Sequence, residues 1–269
     1  MKFLWVLLLC LPALVNGDVY QWRDGNGGKH YSDRRHADAE RLDIKPGYSF
    51  YRVRTVYDGD TLVLEDGRKI RLLGINTPEV QHRNQLADAG GMEAKLWLTN
   101  KLQGARIRIE TDVEQQDKYG RMLAHVFTER NEHVNQLLVA AGLAAVSIYP
   151  PNLLYADRLL QAQQKAEKAK IGIWREQQYA AFPADRLPEG GHPGWTRVQG
   201  RVTDVRGSRK FVYLKFTDRF EARIERKWLS LFTDFGSYPG QMLEVRGWLN
   251  KYKKGYSMLI RHPSAIKRL

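Results

Sequence analysis

Short runs in which apolar and polar residues alternate predict a series of β-strands in the first half of the chain. Alternation with a period of two places every second side chain on one face, as a half-buried strand requires. Asp66 and Gly67 lie between two of these runs and favour a hairpin turn, since both residues tolerate a positive φ. The strands predicted in this half are residues 51–56, 61–64, 69–73, 106–111 and 124–127.

Elsewhere in this half the apolar spacing changes to the period that is typical of helices. Helices are predicted over residues 92–102 and 153–169, and a third, around Leu137 and Leu138, is ended by Gly142. Five strands and three helices, with one helix before the fourth strand, predict an α+β domain. A small Greek-key barrel flanked by helices fits this order.

A second, all-β domain is predicted for residues 195–269. It follows a linker at residues 179–194, where Pro and Gly are concentrated, and the α+β domain then occupies residues 47–178. A helical-looking segment lies between its third and fourth strands, and this order is typical of an OB-like barrel. The strands predicted here are residues 198–205, 210–216, 220–224, 242–247 and 256–261.

The N-terminus carries an apolar run after Lys2, which predicts a signal peptide at residues 1–17 that is cleaved after about Gly17. A lipoprotein signal at Cys10, the only cysteine, is the alternative. Residues 18–46 predict a hairpin and resemble a short periplasmic module that follows bacterial signal peptides. We therefore expect a secreted or periplasmic protein with no transmembrane helix and, once cleaved, no disulfide.

Basic residues are distributed unevenly. The chain has a formal net charge of +13. Residues 195–269 contain 17 Lys and Arg against 6 Asp and Glu, a net +11, whereas residues 47–178 contain 18 against 16, a net +2. This local excess, interleaved with aromatic residues, favours a polyanionic partner such as DNA, RNA or an acidic membrane surface. A basic surface that only aids solubility is the alternative.

Three short stretches carry residue types that phosphodiester hydrolysis requires. They are Asp58 to Thr61, Arg71 to Glu79, and Asp117 to Arg121. Hard cations such as Ca²⁺ prefer the oxygens of carboxylates, amides and backbone carbonyls, and guanidinium groups match a phosphate. Taken singly, each stretch could be an ordinary turn or helix entry. The oxygen donors offered by these stretches are Asp58, Asp60, Asn76 and Glu79, and the arginines are Arg71 and Arg121.

In this order and spacing, the stretches resemble the staphylococcal nuclease (thermonuclease) family. The resemblance runs from about Tyr51 to Trp174 and includes the later segments Ala141-Gly142-Leu143-Ala144 and Ile171-Gly172-Ile173-Trp174. It implies a five-stranded OB-type barrel with three helices and a requirement for Ca²⁺. It also implies endonucleolytic cleavage of DNA and RNA to 3′-phosphate products.

The resemblance also implies roles for individual residues. Asp60 matches a calcium-ligating aspartate, and Asn76 stands where the best-studied members carry a second one. Asparagine keeps a carbonyl oxygen but loses a negative charge, so calcium affinity should fall. The remaining matches are Thr77, through its backbone carbonyl, to a metal ligand; Glu79 to the general base; Arg71 and Arg121 to the phosphate-binding arginines; and Lys118 and Tyr119 to substrate-binding residues. Tyr149 lies near an aromatic of the family's site, one residue short in spacing.

The leading prediction is a secreted or periplasmic calcium-dependent endonuclease, monomeric, acting on DNA and RNA with single strands favoured. The alternative is a nucleic-acid-binding protein on a nuclease fold whose catalysis is weak or lost. Retention of Asp60, Arg71, Glu79 and Arg121 favours the enzyme, and only Asn76 favours the alternative. A third hypothesis is a cell-envelope protein that binds acidic polymers.

Overall fold

The structure of the protein is a computed structural model. It describes residues 19–42, 49–80, 88–187, 194–233, 235–252 and 255–269. The predicted signal peptide and residues 188–193 of the predicted linker lie outside the described residues. Residues 1–48 and 49–269 form two separate units, and each is described by itself.

The N-terminal unit contains a small antiparallel sheet. Its strands are β1 (Val19–Arg23), β2 (Lys29–Ser32) and β3 (Glu40–Leu42), in the spatial order β2-β1-β3. The carboxylate of Asp24 closes the turn after β1 by accepting hydrogen bonds from the backbone N–H of Asn26 and Gly28. The pair β1 and β2 is the predicted hairpin. Strand β3 is too short to show an alternating pattern and was not predicted.

Residues 50–169 fold into a closed five-stranded barrel with three helices. Neighbouring strands run in the order β4-β5-β6-β9-β8, and only the pair β6 and β9 is parallel. The predicted OB-type barrel with three helices is confirmed. Its elements are β4 (Phe50–Val56), β5 (Thr61–Leu64), β6 (Lys69–Leu72), β7 (Ile75–Asn76), α1 (Gly91–Leu102), β8 (Arg106–Glu110), β9 (Met122–Thr128), α2 (Val134–Ala140), β10 (Ala145–Val146) and α3 (Ala156–Ala169).

The barrel core is formed by the inward side chains of the strands and one face of each helix. Leu62, Ile70 and Val126 are buried inside the barrel, and Leu98 of α1 and Leu159 of α3 belong to the same cluster. Leu159 is one of the α3 positions that helical spacing predicted to face inward. All four residues of β5 are buried, so this strand lacks the alternation of a half-buried strand.

Helix α3 begins at Ala156 rather than at the predicted residue 153. Tyr155 has a positive φ of 62°, which a continuing right-handed helix does not allow. The backbone N–H of Leu154 donates a hydrogen bond to the carboxylate of Asp112 at 2.8 Å. The chain is therefore held in a turn until Tyr155, and the helix starts after it.

Residues 181–268 form a second β-structure, an eight-stranded sheet. The spatial order is β11-β12-β16-β17-β15-β14-β13, with β18 beside β16, and β15 and β17 are parallel. A short 3₁₀-helix spans Arg226–Leu231, where the helical-looking segment was predicted. The strands are β11 (Ala181–Pro183), β12 (Gly194–Arg201), β13 (Asp204–Gly207), β14 (Phe211–Lys215), β15 (Phe220–Glu225), β16 (Met242–Tyr252), β17 (Gly255–Ile260) and β18 (Ile266–Arg268).

Strands β12 and β13 are two parts of the strand that was predicted as one. They are separated by Val202 and Thr203, where the backbone hydrogen bonds change from the β16 side to β14. The N–H of Val202 donates to Gln241 beside β16, and the N–H of Thr203 donates to Lys215 of β14. The chain thus runs directly from β12, the second strand in the spatial order, to β13, the last strand.

The predicted linker takes part in the structure. Within it, β11 pairs in parallel with β12. At its first residue, Tyr179 packs with Trp174 and Trp195, and the Tyr179 carbonyl accepts a hydrogen bond from Arg197 at 3.1 Å. The described linker residues are therefore packed between the two β-structures instead of separating them.

Candidate active site

The turn between β4 and β5 carries Asp60, the first predicted metal ligand. Asp58 Oδ1 accepts a hydrogen bond from the backbone N–H of Asp60 at 3.0 Å, which closes the turn. Between them, Gly59 has no room for a side chain, because an added Cβ would lie 2.7 Å from side-chain atoms of Thr77 and Ala94. The glycine thus lets the turn pack directly against Thr77 and helix α1.

The carboxylate of Asp60 is the centre of a hydrogen-bond network. The residue is 6% exposed, and its Oδ2 accepts from the backbone N–H of Thr77 at 3.0 Å and pairs with Arg71 Nη2 at 3.0 Å. Its Oδ1 accepts from the Thr61 hydroxyl at 3.2 Å. Burial and then repulsion from Asp60 raise the pKa of Asp58 to about 6. Two acidic side chains therefore lie in a shielded turn beside one guanidinium.

Asn76 and Thr77 lie next to this carboxylate because β7 is pinned to β10. Asn76 pairs with Ala145 in that short ladder. The Asn76 side-chain amide donates from Nδ2 to the Thr77 carbonyl at 3.1 Å, and its Oδ1 accepts from Arg71 Nη2 at 3.4 Å. The three predicted metal ligands and Arg71 therefore form one connected cluster.

The chemistry of this donor set fits a hard cation. It comprises one carboxylate, one amide and one backbone carbonyl, all of which offer oxygen, as Ca²⁺ prefers. Within the described ranges, no three His, Cys, Asp or Glu side chains are grouped so that they could hold a metal ion. A metal bound here would therefore depend on uncharged oxygens as well as on Asp60.

Of the two predicted phosphate-binding arginines, Arg71 lies on β6 and Arg121 lies just before the neighbouring strand β9. In the parallel ladder of β6 and β9, Ile70 pairs with Met122 and Arg71 pairs with Leu123. Arg121 immediately precedes β9. It therefore lies beside β6 and, by the period of two, on the same face as Arg71.

The loop before β9 is organised by the carboxylate of Asp117. It accepts hydrogen bonds from the backbone N–H of Tyr119 and Arg121 and pairs with Arg121 Nε at 2.7 Å. Burial alone would raise the pKa of Asp117, but the hydrogen bonds from Arg121 and the backbone hold it below its usual value. Lys118 lies 4.9 Å from the ring of Tyr119, which is 71% exposed. The predicted substrate residues thus lie on the surface beside Arg121.

Glu79 is held through its backbone. Its N–H donates to Asp88 Oδ2 at 3.1 Å, and its carbonyl accepts from the N–H of Asp88 at 2.9 Å. An added Cβ on Gly91 would lie 2.4 Å from that carbonyl, so the first residue of α1 must be a glycine. After burial, the negative charges of Asp88 and Glu79 contribute to raising the pKa of Tyr179.

Two residues of this support, Asp88 and Gln178, were not predicted from the sequence. Gln178 donates from Nε2 to Asp88 Oδ1 at 2.9 Å and accepts from the N–H of Ala89 at 3.3 Å. Gln178 is ninety positions from Asp88 in the chain, so no local pattern links them. The only local signal is that Asp88 lies just before Gly90 and Gly91, where a helix start was predicted.

The chain is similar to known nucleases over most of the first barrel. The family model for staphylococcal nuclease homologues matches residues 69–176. The chain is 39% identical over 172 residues to a thermonuclease of Staphylococcus intermedius, covering 63% of this chain and 95% of that protein. It is 38% identical over 127 residues to a thermonuclease of Staphylococcus hyicus, covering 46% and 75%. The chain belongs to the staphylococcal nuclease family.

This nuclease is therefore an enzyme that hydrolyses phosphodiester bonds, and nucleic acid is its substrate. It is also 33% identical over 127 residues to the endonuclease YncB of Bacillus subtilis (strain 168), covering 45% of this chain and 60% of that protein. A model for a domain of unknown function (DUF4124) matches residues 6–49, which overlap the predicted signal peptide and hairpin. Among the described helices, none is both long and apolar enough to span a membrane.

Proposed function

We propose that this nuclease is a calcium-dependent endonuclease that cleaves DNA and RNA to 3′-phosphate products. The observation that carries the proposal is the connected cluster of Asp60, Asn76, Thr77 and Arg71. It joins oxygen donors for a hard cation to a guanidinium that can bind the same phosphate. Calcium, when bound, would polarise the phosphate and favour ionisation of a nearby water.

Asp60, the Thr77 carbonyl and the Asn76 amide would hold the cation. Asn76 directs Nδ2 toward the Thr77 carbonyl, so calcium binding at that carbonyl requires the amide to turn and present Oδ1. This rearrangement and the amide in place of a carboxylate at position 76 support a metal site weaker than one with aspartates at both position 60 and position 76.

The remaining roles fall to three side chains. Glu79 would accept the proton of the attacking water, since a carboxylate within reach of the water can act as a general base. Arg71 and Arg121 would stabilise the charge that develops on the phosphate oxygens. Asp88, supported by Gln178, would keep the backbone of Glu79 in place during this step.

We also propose that residues 195–269 form an OB-like barrel that binds the nucleic acid. Phe211 and Tyr213 alternate with buried residues of β14, so their side chains share the outer face. Arg206 lies 5.0 Å from the Tyr213 ring, and Arg223 lies 5.4 Å from the Phe211 ring. Aromatic rings interleaved with cations support base stacking and backbone binding, and they favour single strands.

The protein is proposed to act as a monomer outside the cytoplasm. The basis for the location is the apolar run that follows Lys2, which predicts a signal peptide cleaved after about Gly17. An enzyme exported in this way would meet calcium at concentrations that suit a weak site.

The test is cleavage of end-labelled single-stranded DNA and RNA by the purified protein, with calcium titrated from chelator excess to several millimolar. Glu79→Gln is compared with the matched change Glu93→Gln, which lies on the exposed side of α1. We expect calcium-dependent cleavage that is lost in Glu79→Gln and kept in Glu93→Gln, with a phosphate on the 3′ end of the products.

Cleavage that proceeds in chelator excess would overturn the calcium proposal. Equal activity of both glutamine variants would overturn the role of Glu79. Binding without cleavage at every calcium concentration would favour the alternative, a binding protein on a nuclease fold, to which the asparagine at position 76 already points.

A further inference from the structure

Two adjoining clefts lie where the second β-structure meets the first barrel, and both are lined by Trp195 and Trp248. Asn76 and Asp88 line the first cleft with them. One of these residues is a proposed metal ligand, and the other holds the backbone of Glu79. Residues from outside the nuclease barrel therefore lie beside two residues of the proposed site.

The two tryptophans are paired on neighbouring strands but have different surroundings. Trp195 pairs with Trp248 between β12 and β16. Trp195 packs against Trp174 and Tyr179, with ring centroids 6.3 and 5.8 Å away, so it anchors the junction. Trp248 is 36% exposed. An exposed indole beside these clefts offers a flat apolar face for a base.

Tyr149 and Arg261 line the second cleft. The Arg261 guanidinium lies 4.5 Å from the centroid of the Tyr149 ring. It makes no ion pair with any part of the chain that the structure describes. A guanidinium stacked on a ring keeps the N–H groups at its edge available for a phosphate.

We propose that Trp248 and Arg261 form a nucleotide-binding subsite that extends the nuclease cleft. A base outside the two nucleotides that flank the scissile phosphate stacks on Trp248, and the backbone phosphate beside that base binds Arg261. The ligand is a single strand of DNA or RNA, because the bases of a duplex are already stacked and cannot splay onto an indole. The subsite rests on the proposed function for its role in cleavage, but not for its binding of the strand.

The first test compares a long and a short substrate. The long one is an oligodeoxynucleotide of about twelve nucleotides, within the site size of an OB fold, and the short one is a dinucleotide. Trp248→Ala and Arg261→Ala are expected to raise KM for the long substrate about tenfold, the loss typical of one stacked base or one phosphate contact. Neither should change kcat, or KM for the dinucleotide.

Met242→Ala is the matched control, since Met242 lies on the same strand and is 37% exposed. It should leave both substrates unaffected. Trp248→Phe keeps an aromatic face and should recover most of the affinity that Trp248→Ala loses. Equal losses on both substrates, or a Phe variant no better than the Ala variant, would show that Trp248 only packs the junction and would overturn the subsite.

The second test measures binding alone. The affinity of each variant for the same labelled oligonucleotide is measured by fluorescence anisotropy in the presence of chelator. Without calcium, the proposed cleavage does not occur. Binding weakened about tenfold by Trp248→Ala supports the subsite, even if no protein cleaves the strand and the proposed function fails. Wild-type binding by Trp248→Ala overturns the subsite, even if cleavage remains calcium-dependent.

Discussion

The two β-structures of residues 49–269 use the same order of strand neighbours for different purposes. In the first barrel, β4 pairs with β5 and β8, and the parallel pair is β6 and β9. In the second, the joined strands β12 and β13 pair with β16 and β14, and the parallel pair is β15 and β17. Counted in chain order, with β12 and β13 as one strand, the five strands of each structure follow one scheme. The first strand lies between the second and the fourth, and the third runs parallel to the fifth.

The difference between them lies in the connections and in the charges at matching positions. In the first barrel, Thr61 begins the second strand opposite Arg71 and follows Asp60. In the second, Phe211 begins the second strand opposite Glu225 and follows Lys210. The shared topology therefore determines which strand positions are neighbours. The loops and the residue types at those positions determine whether one site can bind both a metal ion and a phosphate.

The connection between the third and fourth strands differs most. In the first barrel it holds Asn76, Thr77, Glu79 and the whole of α1. In the second the matching place holds the 3₁₀-helix Arg226–Leu231. The first barrel can therefore supply a catalytic site, and the second is left with a basic, aromatic surface.

The largest effect is expected at the joint between the two structures. Arg246 of β16 is 7% exposed and bonds Glu167 of α3 and Glu244 of its own strand. Arg246→Ala would leave the buried carboxylate of Glu244 and the half-buried carboxylate of Glu167 with fewer partners, so the free energy of unfolding should fall by about 3–5 kcal/mol.

Urea unfolding measures this loss, with Lys251→Ala as an exposed control on the same strand. A loss below about 1 kcal/mol, the value of a surface ion pair, would show that the two structures are not coupled through Arg246.

The second effect separates catalysis from binding. Arg121→Ala should lower kcat by about 10²–10³, because a donor to the transition-state charge is lost. Stability should change little, since the Arg121 side chain is partly exposed and pairs only with Asp117 among the described residues. Arg209→Ala, on the second β-structure, should leave kcat unchanged. Steady-state kinetics on a dinucleotide would contradict the assignment if both variants lost the same activity.

The third effect is a pH dependence that belongs to the first barrel. Burial lowers the pKa of His125 to about 4 and of His133 to about 3, and the two rings share a 3.1 Å hydrogen bond. Since both folded pKa values lie below the unfolded value, stability is present above about pH 6.5 and is lost as the pH falls. Each group contributes about 1.4 kcal/mol per pH unit between about pH 6 and 4.

Urea unfolding between pH 7 and 4.5 measures this slope. His133→Gln should reduce it by about half, because one of the two neutral rings no longer takes up a proton on unfolding. A variant with the wild-type slope would mean that the acid sensitivity arises elsewhere, for example at the Glu244 pair of the second structure.

The smallest effect concerns the metal site. Asn76→Asp restores a charged ligand and should tighten calcium binding by about tenfold. The same change removes the Nδ2 donor to the Thr77 carbonyl, so the calcium-free protein should become less stable. Isothermal titration with calcium measures the first effect, and Asn100→Asp adds the same charge on the exposed face of α1 as a control. Equal binding by both variants would exclude position 76 from the metal site.

Local patterns predicted the elements of the first barrel and most of its bounds, because each strand and helix buries one face. The resemblance to the staphylococcal nuclease family implied the site residues Asp60, Asn76, Thr77 and Arg71, which the structure gathers in one cluster. Local patterns could not predict contacts between distant parts of the chain. The support of Glu79 by Asp88 and Gln178 depends on the closed fold, and so does the meeting of Trp248 with Asn76 at one cleft.

In the proposed division of roles, the first barrel cuts the nucleic acid and the second β-structure holds it. The most direct measurement compares Glu79→Gln with a triple variant, Arg209→Ala with Lys210→Ala and Lys227→Ala, on the same single-stranded oligonucleotide. Glu79→Gln is expected to lose turnover while binding persists, and the triple variant is expected to keep kcat but bind more weakly, with a flatter dependence on salt. A triple variant with lowered kcat and an unchanged salt dependence would contradict this division of roles.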